Sequence, residues 1–145
     1  SKEDTPAIYK ENAVVQIVAG EFEDVVGPAK TYSPQTLLRF ETKSGAELSI
    51  DLPKSYNTLI YLLDGAIESC GKIIHEKEMV WFENDGDCVQ LKVTKSARFI
   101  LLSGEPIGEP LVTYGPFVMN SQEEINQAII DYQNGEMGSL YESFD

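Results

Sequence analysis

From Ala13 to Ser103 the chain offers little but short strands. The segments Ala13 to Ala19, Thr36 to Glu41, Glu47 to Leu52, Thr58 to Leu63, Ala66 to Cys70, Met79 to Phe82, Cys88 to Val93 and Arg98 to Ser103 are rich in β-branched and aromatic residues. Turn chemistry separates them. Asp64-Gly65 between LIYLL and AIESC reads as a two-residue hairpin, Asp85-Gly86 as another, and Lys43-Ser44-Gly45 and Lys95-Ser96 suit tight reversals. Strands never alternate with helices here, so βαβ units and a parallel sheet are excluded. The strands must close on one another as an all-β sandwich or small barrel.

The character changes after Gly104. Pro106, Pro110 and Pro116 each lack an amide donor and fix φ, so the segment 105–120 is expected to run extended along a surface or sheet edge. A helix is then expected over 121–135. Ser121 can cap it with Glu124 three residues on, Ile125, Ala128, Ile129 and Tyr132 recur at helical spacing, and Gly135 supplies the stop.

At 145 residues, 42% of them hydrophobic, the chain suits one core. A single domain over 9–145 is expected, preceded by a polar connector at 1–8. No apolar run approaches the roughly 18 residues of a membrane span. With 24 acidic against 11 basic residues, a net charge of −13, and no Lys/Arg cluster, the chain would repel a phosphate backbone, so direct nucleic-acid binding is not expected. The acidic runs Glu21 to Asp24 and Glu83 to Asp87 lack the later bidentate glutamate of a calcium loop and read as solvated turns. Cys70 and Cys88 form no CxxC pair and have no histidine at zinc-site spacing; they read as free, half-buried strand thiols of a cytoplasmic protein.

The end of the chain also carries a long specific pattern. Gly104, Pro106, Glu109 and Pro110 are followed by Tyr114-Gly115-Pro116-Phe117-Val118-Met119-Asn120, then Glu124-Ile125, Ala128, Asp131-Tyr132 and Gly135. This run closely resembles the C-terminal signature of the pirin family. Val18-Ala19-Gly20, Gly27-Pro28 and Ser33-Pro34 resemble the opening of that family's second domain. The resemblance implies a cupin-type double-stranded β-helix, that is, a small jelly-roll barrel, with one C-terminal α-helix. It further implies a bicupin nearly twice this length, of which this chain is the C-terminal half, with iron only in the missing N-terminal lobe.

The cupin frame makes metal chemistry testable. A metal-binding cupin presents G-x5-H-x-H-x4-E-x6-G, because alternate histidines on one strand point into the barrel and a carboxylate on the next strand meets them. Gly45 and Gly65 keep that frame, yet the histidine slots hold Asp51 and Pro53 and the glutamate slot holds Thr58. In the second motif the histidine slot falls on Val89. His75 is the only histidine. No catalytic or metal-binding residue is therefore expected in this chain, and no cofactor. Tyr56, Tyr61, Trp81, Phe82 and Phe99 are expected to line the barrel interior or its mouth, chiefly as core; if a pocket exists, Asp51, Tyr56, Tyr61 and Trp81 are its candidates.

Three functions remain open. As a pirin-like lobe without metal, the chain would be a structural and protein-interaction module. Some pirins resemble quercetin 2,3-dioxygenases, so it could instead be the metal-free part of such an enzyme, or thirdly a small-molecule-binding regulatory cupin. The expected interface lies in the tail, at Leu111, Tyr114, Phe117, Val118, Met119, Ile125, Ile129 and Tyr132, or on the barrel face that would meet the missing lobe. Its expected partner is an N-terminal cupin lobe, a second copy of the chain or a regulatory protein.

Overall fold

A computed structural model describes residues 5–83 and 86–139. The chain divides into two compact units, Ser1–Pro106 and Ile107–Asp145, where the sequence suggested one domain over 9–145.

The first unit has ten strands among the described residues. They are β1 (Ala7–Lys10), β2 (Ala13–Ala19), β3 (Glu21–Phe22), β4 (Val25–Val26), β5 (Gln35–Thr42), β6 (Glu47–Asp51), β7 (Asn57–Ser69), β8 (Lys72–His75), β9 (Met79–Phe82) and β10 (Cys88–Gly104). Strands β1, β2, β5, β10, β7 and β8 lie side by side in that order, with β6 also paired to β10 and β9 also paired to β7. Every pairing between these strands is antiparallel, and one isolated parallel bridge joins Ala19 to Ala29.

Two long strands fold this sheet over. The second half of β10 pairs with β5 and with the first half of β7, which also carries β9. The first half of β10 pairs with β6 and with the second half of β7, which carries β8. A six-stranded half thus passes continuously into a four-stranded half, and one core fills the sandwich between them. Phe40 and Phe99 stack within it, centroids 4.5 Å apart.

The expected hairpin at Asp64-Gly65 and reversal at Lys95-Ser96 are therefore corrected. Both dipeptides lie inside continuous strands, where register shifts between Val93 and Phe99 bend the ladder. Gly65 is required by a close crossing. Its φ is +88°, and a Cβ there would stand 2.2 Å from the Ser96 carbonyl oxygen and 2.6 Å from Ala97 Cα. The other expected hairpin, at Asp85-Gly86, and the acidic run through it include residues 84 and 85, outside the described residues.

Two smaller points concern strand ends. The connector expected over 1–8 gives way at Ala7, because Ala7–Lys10 pairs along β2 through a turn in which Asn12 takes φ +58°. β6 stops at Asp51, and Pro53 lies outside the ladder, as a residue without an amide donor should.

In the second unit the proline-rich segment is not uniformly extended. β11 (Val112–Tyr114) and β12 (Phe117–Met119) form a hairpin closed by Gly115, φ +54°, and Pro116. Glycine at the first loop position supplies the positive φ, and proline fits the second because no ladder bond is needed there. α1 (Gln122–Gln133) then lies against that hairpin. The capping box forms: Ser121 Oγ accepts from the Glu124 amide at 3.2 Å, and Glu124 Oε2 accepts from the Ser121 amide at 2.9 Å.

Candidate functional site

Strand β6 decides what the barrel interior can hold. Its side chains alternate, so Leu48 and Ile50 point into the core, followed by Leu52, while Glu47, Ser49 and Asp51 point out, followed by Pro53. Asp51 and Pro53, in the two histidine slots, are thus on the exposed side. Thr58 and Val89 are buried. Pro53, Thr58 and Val89 come together at one small cavity while Asp51 stays outside it, and the positions facing inward present isobutyl, sec-butyl and isopropyl groups and one hydroxyl.

That hydroxyl is already committed. Thr58 Oγ1 and Ser103 Oγ are 2.8 Å apart between adjacent residues of β7 and β10, both buried. A cavity of about 80 Å³ lies beside Tyr56, Thr58, Phe82 and Val89. A small aromatic substrate needs a pocket of roughly 300 Å³ or more. Ser69, also lining it, donates to the Gln90 carbonyl at 2.9 Å, and no buried side-chain polar atom among the described residues lacks a partner. Iron held for oxygen chemistry needs at least three fixed nitrogen or oxygen ligands and an open position. No group of three His, Cys, Asp or Glu residues able to hold a metal occurs among the described residues, so the residues present do not fit the iron site of a catalytic cupin.

The remaining candidates scatter. Asp51 and Tyr56 share a shallow external groove of about 320 Å³ with Pro53 and Gln35. His75 is exposed at the end of β8, its amide donating to Glu78 Oε2 at 2.8 Å. Cys70 and Cys88 are free but exposed, not half-buried, and Cys70 occupies a turn at φ +50°, not a strand. Of the tail residues expected at an interface, Leu111, Tyr114, Val118 and Tyr132 are exposed, and Phe117, Met119 and Ile129 are half-buried. Ile125 is completely buried and cannot meet a partner.

Tyr61 and Trp81 do not line the interior either. Ile60 and Leu62 take the inward positions of β7, which turns Leu59 and Tyr61 outward. Register then assembles a surface. Leu37, Leu102, Leu59 and Trp81 stand in one row across β5, β10, β7 and β9; Ile100, Tyr61 and Met79 stand in the next, continued by Arg39. Beyond the second row lie Glu41, Arg98 and Asp64. Asp64 accepts from the Arg98 amide at 3.0 Å and from Arg98 Nε at 2.6 Å, and this side-chain bond holds its carboxyl below the ordinary carboxylate range. The outer face of the four-stranded half is different, carrying Glu47, Ser49, Glu68, Gln90 and Lys92 around an open depression. Sequence reading missed the apolar rows, although LIYLL and FILL show no alternation, the mark of a strand covered on both faces.

Fold and topology together define a cupin sandwich, with no constellation of metal ligands among the described residues. The chain belongs to the pirin family: residues 37–138 match the Pirin C-terminal cupin domain. It is 38% identical over 147 residues to pirin-like protein 2 of Arabidopsis thaliana, covering 95% of this chain and 46% of that protein. Pirin of Homo sapiens is 34% identical over 141 residues, covering 94% and 49%. Among solved structures, quercetin 2,3-dioxygenase from Acinetobacter baumannii superposes with a TM-score of 0.87 at 30% identity, over 97% of this chain and 50% of that one. The chain thus spans about half the length of the curated relatives it matches. No helix among the described residues is long and apolar enough to cross a membrane.

Proposed function

We propose that this chain is the metal-free C-terminal cupin lobe of a pirin-like protein and acts as a structural and protein-interaction module with no catalysis of its own. One observation carries the reading. The imidazole slots hold Asp51 and Pro53 and the remaining slots Thr58 and Val89, none of them a nitrogen ligand; Ile50 and Leu52 fill the interior beside them, and the one buried polar group, the Thr58 hydroxyl, is hydrogen-bonded to Ser103. Such an interior packs; it does not bind oxygen or a flavonol. Iron, where a pirin-like protein uses it, belongs in this reading to a separate N-terminal lobe, and the chain itself works in the cytoplasm. The test is to incubate the purified chain anaerobically with ferrous iron, desalt it, and measure metal content and quercetin consumption in air. Less than about a tenth of an iron per chain and no consumption are expected; one iron per chain or catalytic turnover overturns the proposal.

The likeness to half of the A. baumannii quercetin 2,3-dioxygenase favours a second reading, in which the lobe completes such an enzyme. Quercetin turnover would then appear only when this chain is joined to an iron-bearing lobe, and would fall when the lobe is removed.

A further inference from the structure

The two thiols of the chain stand at one rim of the sandwich, unused by its interior. Cys70 and Cys88 are both free and exposed, and both border the small cavity beside Thr58 and Val89. Strand register brings them there. Lys92 of β10 pairs with Glu68 of β7, so the same register carried two residues on sets Cys70 level with Gln90. Contact continues past that last ladder pair, since the Ser69 hydroxyl donates to the Gln90 carbonyl at 2.9 Å. Cys88 lies two residues from Gln90 on the same exposed face of β10, diagonal to Cys70.

The turn that presents Cys70 is itself unusual. Cys70 and Gly71 form the two-residue loop between β7 and β8, at φ +50° and +73°. Asparagine, aspartate and glycine are the favoured residues at the first of these positions, and a side chain with a Cβ is otherwise strained there. Burial does not offset that strain, because Cys70 is exposed.

Spacing decides what two such thiols can do. Diagonal neighbours on an antiparallel pair stand about 7–8 Å apart, whereas a disulfide needs Cα atoms closer than about 7 Å. A metal atom between the sulfurs replaces one S–S bond of about 2 Å by two metal–sulfur bonds of about 2.3 Å each, and so spans the wider gap. No carboxylate or imidazole makes the pair a set of three among the described residues, which leaves too few ligands for zinc. Copper(I) is a soft cation that thiolates select, and two sulfurs in a line satisfy it. Glu83 and Asp87 also border the cavity, Asp87 at 3.9 Å from Lys54, and the chain carries −13, so the surroundings favour a cation.

We propose that Cys70 and Cys88 form a two-coordinate site for copper(I) at the rim of the four-stranded half. As the metal binds, each thiol loses its proton to water and each sulfur gives an electron pair to the metal; copper stays in its reduced state throughout. Ser49 Oγ lies 3.0 Å from Cys88 Sγ, and once that sulfur has lost its hydrogen the Ser49 hydroxyl donates to it, as outer hydrogen bonds hold metal ligands in place. The site lies outside the barrel interior and goes beyond the interaction-module reading, which concerns iron in the cupin slots.

The test is anaerobic titration of the purified chain with copper(I) in competition with the chelator bicinchoninate, followed by X-ray absorption at the copper edge. About one copper per chain is expected, with two sulfur neighbours, carried by a single chain in native mass spectrometry. Cys70→Ser and Cys88→Ser should each lower the retained copper at least about 10-fold. Cys70→Asn, a residue at home in the left-handed turn, should do the same with the fold intact. His75→Ala, which removes the only imidazole, should change nothing. Copper kept by the cysteine variants, nitrogen or a third sulfur at the metal, copper joining two chains, or no copper held against the chelator overturns the proposal. Iron content and quercetin consumption are read on the same samples, so failure of the copper site is distinguishable from failure of the reading without iron.

Discussion

Replacing Thr58 separates a packing role from a ligand role at the slot where a catalytic cupin has its glutamate. Thr58 and Ser103 are 5% and 3% exposed, and their hydroxyls are 2.8 Å apart. Thr58→Val keeps the shape and deletes the hydroxyl, leaving Ser103 to bury a polar group without that partner. Such an orphan costs about 1–3 kcal/mol, and Ser103→Ala should cost a similar amount by orphaning Thr58. The double variant removes both hydroxyls and leaves none stranded. Its loss should fall short of the sum of the single losses by about 1–2 kcal/mol, the coupling expected of residues in contact. In a domain of this size each kcal/mol shifts the melting temperature by roughly 2–4 °C, so the single variants are measurable by urea titration and by thermal melts. Single losses that add to within about 0.5 kcal/mol would show the two hydroxyls to be independent and refute the reasoning.

Three further outcomes are expected. Gly65→Ala should lose more than about 2 kcal/mol in urea unfolding, because it combines positive-φ strain with contact on the Ser96 and Ala97 backbone, whereas Gly45→Ala, at φ +89° with no atom within 4 Å, bears only the strain; equal losses would contradict the close crossing of β7 and β10. Because Arg98 depresses the Asp64 pKa, the pair's contribution is complete above the unfolded carboxylate pKa of about 3.9 and fades as pH falls through the lower folded value. The stability difference between the native chain and Asp64→Asn should therefore be flat above about pH 5 and shrink only below about pH 4, and a difference that shrinks on raising the pH would be the wrong sign. Ser121→Ala removes the capping acceptor and should cost the tail helix about 1 kcal/mol, read as faster hydrogen exchange in the first turn of α1 while exchange in β5 and β10 is unchanged.

Most of this architecture was legible because period-two alternation and turn residues act locally. Ala13–Ala19 and Met79–Phe82 form strands with the bounds read from sequence, and Ser121 with Glu124 marks the helix start. The dipeptide Asp64-Gly65 misled for a physical reason. Positive φ at glycine serves a hairpin and a close strand crossing equally well, and only the distant Ser96 and Ala97, which no local window contains, distinguish them. Gly115-Pro116 misled in the opposite direction: proline signals an interrupted ladder, but a two-residue loop is where that interruption does no harm.

At the candidate site the limit was one of facing. The spacing from Gly45 to Gly65 located the slots, but a shift of one residue on a strand exchanges inside for outside, and the buried residues prove to be Ile50 and Leu52 and not Asp51 and Pro53. The same reversal took Tyr61 and Trp81 from interior to exterior. Aromatic residues on a strand satisfy a core or a contact surface alike, so residue type alone could not separate the two. The deciding signal was the failure of alternation. Where Leu59 to Leu63 and Phe99 to Leu102 remain apolar on both phases of the pleat, one phase fills the barrel and the other has to be covered by something. A polar outer face, as on β6, asks for nothing but water; an apolar outer face is what the loss of alternation in LIYLL and FILL foretells.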